Sequence, residues 1–168
     1  MALNIDLKKF KEDLERAIDE LSSAKTLTPI AKQTAEIIRR RTRLGQGVEE
    51  TGAKKSPLAP LAASTKASRK KKSKQGKLSD KTSPNKSNLT ESGEMLDSIA
   101  GRAMNRLIEI SPTGARNKKL AAYHQLGRSS PSAMPARKFL NLSAEDIRQL
   151  TAVMQDEFTN ILNRVFRK

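Results

Sequence analysis

The chain has 168 residues, a length that suits one domain, with 36% hydrophobic residues, only 3% aromatic residues and no Trp, so its core is modest. Thirty-three Lys and Arg against 18 Asp and Glu leave a net charge of +15, a surplus that opposes compaction unless a polyanion or an acidic partner screens it. The absence of Cys excludes disulfides, thiolate metal sites and thiol catalysis; no apolar run approaches the ~18 residues of a membrane span, and the charged N-terminus does not read as a signal peptide, so a soluble protein made in cytoplasm is expected.

The first element is a helix whose Leu7, Phe10, Leu14, Ile18 and Leu21 form one apolar stripe. A second helix is expected from Thr28 as N-cap and Pro29 at the first helical position, with Ile30, Thr34, Ile37 and Ile38 on its apolar face. Arg39, Arg40, Arg41 and Arg43 crowd its end, where cations suit the helix dipole, and Gly45 stops it. That Arg cluster fits either a solvated helix end or a phosphate-binding group.

Charge then divides the chain. Residues 1–50 carry +1, residues 51–88 carry +10 with Asp80 as their single acid, and residues 89–168 carry +4. The middle segment is rich in Ser, Lys, Pro and Ala and lacks aromatics, so it buries too little apolar surface to offset its ordering entropy. The organisation expected is a two-helix part over 1–44, a basic extended loop or arm over 45–88, and a sheet with a C-terminal helix over 89–168 that forms one domain with 1–44. The arm's Lys66, Arg69, Lys70, Lys71, Lys72, Lys74 and Lys77 are candidates for contacts with DNA or with a neighbouring protein, or are simply a solvated charge run. Lys70-Lys71-Lys72 even passes for a localisation signal.

After the arm, Met95, Leu96 and Ile99 belong to a short helix or strand. Residues 106–110 partly alternate and end at Ser111-Pro112, which reads as a strand. Thr113 to Asn117 reads as a turn, and Leu120 to Leu126 as a second short element, helix or strand. The last element is a helix of about 20 residues, with Ser143 as N-cap, Glu145 and Asp146 in the first turn, and Ile147, Leu150, Met154, Phe158, Ile161 and Val165 as its stripe. The fold class is therefore α+β: a small antiparallel sheet packed by the N-terminal helices and the long C-terminal helix.

Chemistry-bearing patterns are sparse. His124 is the sole His, so no His-based metal site is expected. Ser129 and Ser130 lie near it, but nothing marks an exposed nucleophile, and neither a P-loop nor a GxGxxG pattern is present. No enzyme and no cofactor are expected. His124, beside Tyr123, reads as a packing and hydrogen-bonding residue. Gly127 then breaks the element, and Pro135 sets an extended run that carries Phe139 and Leu140 into the core. Arg137 suits a bidentate pair with a carboxylate, or plain solvent exposure.

Four stretches in order carry a resemblance. They are Pro60-Leu61-Ala62-Ala63-Ser64-Thr65 leading into Arg69-Lys70-Lys71, Leu89 to Ile99 around Ser92-Gly93, Tyr123-His124-Gln125-Leu126-Gly127, and Pro135-Ala136-Arg137-Lys138-Phe139-Leu140 before the final helix. Over roughly residues 56–150 the chain resembles the tail-completion, or virion morphogenesis, proteins of tailed bacteriophages. It departs from them at Leu58, where relatives often carry a Trp, and in its long two-helix N-terminal part. The resemblance implies a small structural protein that forms a ring of identical subunits, with six as the expected number, at the head–tail neck of the virion. It implies joining of heads to finished tails, synthesis in the host bacterial cytoplasm, and no catalysis; in that setting the arm's charge fits contact with genomic DNA in the channel, docking onto acidic surfaces of neighbouring neck and tail proteins, or a solvated run without a specific partner. Gly93, Tyr123, His124, Gly127, Pro135, Arg137 and Phe139 are then marks of the fold. The alternative reading is a nucleic-acid-binding protein that uses the basic arm without sequence preference.

Overall fold

A computed structural model describes residues 7–49, 52–78, 82–89, 92–104, 106–129 and 133–166. Helices α1 (Leu7–Ser22) and α2 (Ala24–Arg43) are followed by strands β1 (Gln46–Val48) and β2 (Lys55–Pro57) and by helix α3 (Ala63–Lys74). Then come the short α4 (Glu94–Asp97), strands β3 (Ile99–Met104) and β4 (Leu107–Pro112), and helices α5 (Ala115–Leu126) and α6 (Ala144–Phe166). The fold is α+β, with two separate two-stranded antiparallel sheets, β1–β2 and β3–β4.

Helix α2 begins five residues before the expected Thr28-Pro29 start. Ser23 caps it from an extended backbone, with its Oγ accepting the Thr26 amide at 3.3 Å. Pro29 therefore lies inside the helix, and the apolar face continues unbroken through Ile30, Ala31, Thr34, Ala35 and Ile38, all buried. Tertiary burial outweighs the missing backbone donor of one Pro. Helix α5 also starts earlier than expected, at Ala115. The run Ala115 to Ala122 contains mostly strong helix formers, so the expected turn ends at Gly114.

Helix α2 lies on the β3–β4 hairpin, whose register runs from Ile99 opposite Pro112 to Met104 opposite Leu107. Contact is close because β3 carries Gly101. A Cβ placed there would stand 1.9 Å from the Ala31 carbonyl oxygen. The main core forms between these layers from Ala35, Ile38, Leu58, Leu89, Met95, Leu96, Ile99, Ala121 and Phe139. Leu58 thus fills a core position. Helix α6 packs against α1 and α2, where Ala17, Ile161 and Val165 make a second small cluster with Leu21 and Leu162.

The region expected to be one long extended arm is built otherwise. The β1–β2 hairpin lies at its base, with Val48 N donating to Lys138 O at 2.9 Å, and α3 follows.

Because Gly101 admits no side chain under Ala31, Gly101→Ala is expected to destabilise the fold by about 3 kcal/mol, the upper end of overpacking effects. Urea denaturation followed by circular dichroism measures this. A loss under about 0.5 kcal/mol would mean that α2 does not rest on β3 so closely.

Candidate interaction surfaces

The signature segments converge on one internal junction. Helix α5 ends in Tyr123-His124-Gln125, and the extended run 135–140 passes beside it. Arg137 N donates to His124 O at 2.6 Å. Gln125 does more, for its Oε1 accepts from the amides of Phe139 and Leu140 at 3.0 and 3.2 Å, and its Nε2 donates to Asn141 Oδ1. That satisfies backbone groups in an irregular stretch and delivers Phe139 fully buried into the core. Gly127, at φ +77°, lies under the returning chain. A Cβ there would meet Met134 O at 2.9 Å, beside the Arg128–Met134 bridge. Pro135 is exposed at the start of the run, and Gly93 is buried before α4. The half-buried Tyr123 ring faces the cations of Lys119 and Arg128 at 5.9 and 5.4 Å.

Arg137 is neither exposed nor paired with a carboxylate among the described residues. It is buried, and its Nε donates to Ser87 Oγ and Ala59 O while Nη2 donates to Pro60 O, all within 3.0 Å. Both ends of the basic segment are therefore tied to the signature run. Burial lowers the Arg137 pKa, and the positive charge of Arg69 lowers it further. The same surroundings act on His124. Burial first, then Arg137 and Arg69, push its pKa down to about 4, so the imidazole is neutral at pH 7. Its buried Nδ1 finds no partner among the described residues.

The basic segment has the opposite character on its outer face. Helix α3 contains no acid, and its single buried side chain is Arg69. The Arg69 guanidinium donates to Ser83 O at 3.0 Å and Lys86 O at 3.3 Å, so a side chain expected on the partner-binding surface is an internal tie. Lys66, Lys70 and Lys74 follow each other at four-residue intervals, and Lys70, Lys71, Lys74 and Lys77 are exposed. Lys72 is half-buried. Each like-charge pair at that spacing weakens the isolated helix by about 0.3 kcal/mol.

The Arg cluster of α2 also divides. Arg41 is buried at 3% exposure and pairs with Asp146, itself 1% exposed, at the start of α6. It donates further to Phe139 O at 2.6 Å and Asn141 O at 2.7 Å. Burial lowers its pKa, and the Asp146 charge and hydrogen bond oppose that shift. Arg43 pairs with Asp97 and Arg39 with Glu36. Nothing in the spacing of 39–43 separates the buried Arg41 from its neighbours except its position in line with Thr34 and Ile38 on the buried face. Gln125, Ser87 and Asp146 likewise carry no local signal of their ties.

A third surface is apolar. Leu7, Phe10, Leu14 and Ile18 on α1, and Ile147, Met154 and Phe158 on α6, remain between 40% and 75% exposed. The expected stripes are real, but within one chain they are only partly covered, by contacts such as Phe10 with Phe166 at 5.7 Å between ring centroids.

The family model described as the phage virion morphogenesis family matches residues 5–159. No curated protein and no solved structure matches the chain.

Replacing Arg41 by Met leaves the buried Asp146 with Lys55, at 3.7 Å, as its remaining cation and is expected to cost about 3 kcal/mol in urea unfolding, with part of that loss recovered in Arg41→Met/Asp146→Leu. Equal losses in the single and double variants would show that Arg41 acts only through its carbonyl contacts. His124 gives a pH test. Its folded pKa lies below the ordinary 6.5, so the unfolded chain binds the proton first as pH falls, and stability is lost from about pH 6.5 towards pH 4. Between pH 7.5 and 5.5 the loss is about 1 kcal/mol, and since this is the sole His, His124→Gln is expected to flatten that slope.

Proposed function

The chain belongs to the phage virion morphogenesis family, and from that membership we propose that it is a tail-completion protein, a structural subunit of a closed ring at the head–tail neck that lets filled heads join finished tails. The match over residues 5–159 carries this reading, since it takes in α1 to α5 and most of α6. Its role is assembly without catalysis, in a virion built in the bacterial host.

The surfaces support a subunit that completes itself against copies of its own chain. The apolar side chains on α1 and α6 form stripes on two helices that already pack together, and contiguous exposed apolar surface of this kind marks association sites. In a ring, each such surface meets a different surface of the next subunit, and rotation closes the series.

The test is electron microscopy of lysates from the parent phage with this gene disrupted. Filled heads and separate, otherwise complete tails are expected, and joined infectious particles would overturn the proposal. Complementation with the wild-type gene is expected to restore joining. Complementation with Phe158→Asp, which places a charge on the apolar face of α6 at a side chain that is 45% exposed, is expected to fail although the variant folds by circular dichroism.

A further inference from the structure

We infer that the outer face of α3 is a binding site for the phosphate backbone of double-stranded DNA, read without regard to sequence. The site is a row on a helix. Half-buried Lys66 and exposed Lys70 and Lys74 follow one another about 6 Å apart at the helical rise, with exposed Lys71 on the same helix and exposed Lys77 just past its end. None of these five has a carboxylate partner among the described residues. The helix has no apolar face to bury, and Arg69 fastens it to the body through the carbonyls of Ser83 and Lys86. The lysines are thus presented outward by a buried anchor, at the cost of mutual repulsion that a polyanion relieves.

Two further features select nucleic acid over an acidic protein. Protein–protein interfaces gather aromatic, Met and Arg side chains and are depleted in Lys. The exposed face of α3 offers Lys, Ser and Ala alone, with no apolar side chain larger than Ala. Duplex DNA presents a negative charge about every 1.7 Å along its axis, dense enough to meet the whole row at once. No aromatic side chain on α3 is placed to stack on bases, so contacts stop at the backbone. This inference does not depend on the ring or on head–tail joining, because the purified chain carries the site.

The experiment is fluorescence anisotropy of the full-length chain with two 30-base-pair duplexes of unrelated sequence, titrated from 50 to 300 mM NaCl. Both duplexes are expected to bind with equal affinity, with log Kobs against log salt falling at a slope of about −4, close to 0.9 per phosphate neutralised. Lys70→Gln/Lys71→Gln/Lys74→Gln is expected to make that slope about 2.5 less negative, and replacing the same three by Arg is expected to retain it. Circular dichroism confirms that both variants are folded, as their exposed positions require. The inference is overturned by an unchanged slope in the Gln variant, by no binding at 50 mM salt, or by binding to poly-L-glutamate with none to the duplexes. The last result would assign the helix to an acidic protein partner.

Discussion

The buried ion pair between Arg41 and Asp146 organises the junction on which the rest of the chain depends. It joins the last turn of α2 to the first turn of α6, residues 105 positions apart in sequence. Neither ion works as a simple pair. Arg41 spends its second nitrogen on the carbonyls of Phe139 and Asn141, and Asp146 Oδ2 also accepts the Ser143 amide while the Ser143 hydroxyl accepts the Asp146 amide. One guanidinium thus closes the α2 terminus, fixes the irregular run after Phe139 and holds the capping box that starts α6. Desolvating two charges is costly, and the hydrogen bonds around the pair, with the Lys55 ammonium 3.7 Å from Asp146 Oδ1, offset part of that cost, although Arg41 Nε is buried without a partner among the described residues. What the pair confers is registry: α6 starts at one place relative to α2, and the Ala17–Ile161–Val165 contact with α1 follows from it.

A second pair of guanidiniums does the work of a core in the part of the chain that has little to bury. Between Ala59 and Asn88 the described residues include few large apolar side chains, yet Thr82, Ser87 and Asn88 are buried. Arg137 gathers Ala59 O, Pro60 O and Ser87 Oγ, and Arg69 gathers Ser83 O and Lys86 O. Backbone carbonyls converge on planar cations where a larger domain would converge methyl groups. A charged donor makes stronger hydrogen bonds than a neutral one, which is why this exchange works with so few contacts. His124 lies beside these two cations, and burial first, with their charge added to it, keeps it neutral.

This division explains what was legible beforehand. Helix α6, its Ser143 cap and its acidic first turn follow from local pattern, as do α1 and the strand β4, because period and capping are properties of adjacent residues. The start of α2 at Ser23 was obscured by Pro29, a strong local signal that a buried face outweighs. Helix α3 was hidden because its composition reads as a mobile arm, and the anchor that orders it, Arg69, is one cation among six in the helix. Arg41 and Arg137 reach acceptors 50 to 105 residues away, and no spacing rule encodes such reach. In the signature run, Phe139 was readable as core by its chemistry, whereas Gln125, which holds the run in place, has the composition of any surface residue.

The two outward surfaces differ in the force that each can use. Apolar side chains on α1 and α6 associate by removing area from water, a term that salt does not screen and that many salts strengthen. The lysines of α3 act through charge, which falls off over about 8 Å at physiological ionic strength. Subunit association and polyanion contact therefore respond in opposite directions to the same change of medium. If the proposed subunit and DNA contacts both form, a rise in salt would hold the first while it loosens the second. The two kinds of side chain are also divided along the sequence: two-thirds of the charge of +15 lies in residues 51–88, outside helices α1 and α6, which carry the exposed apolar side chains.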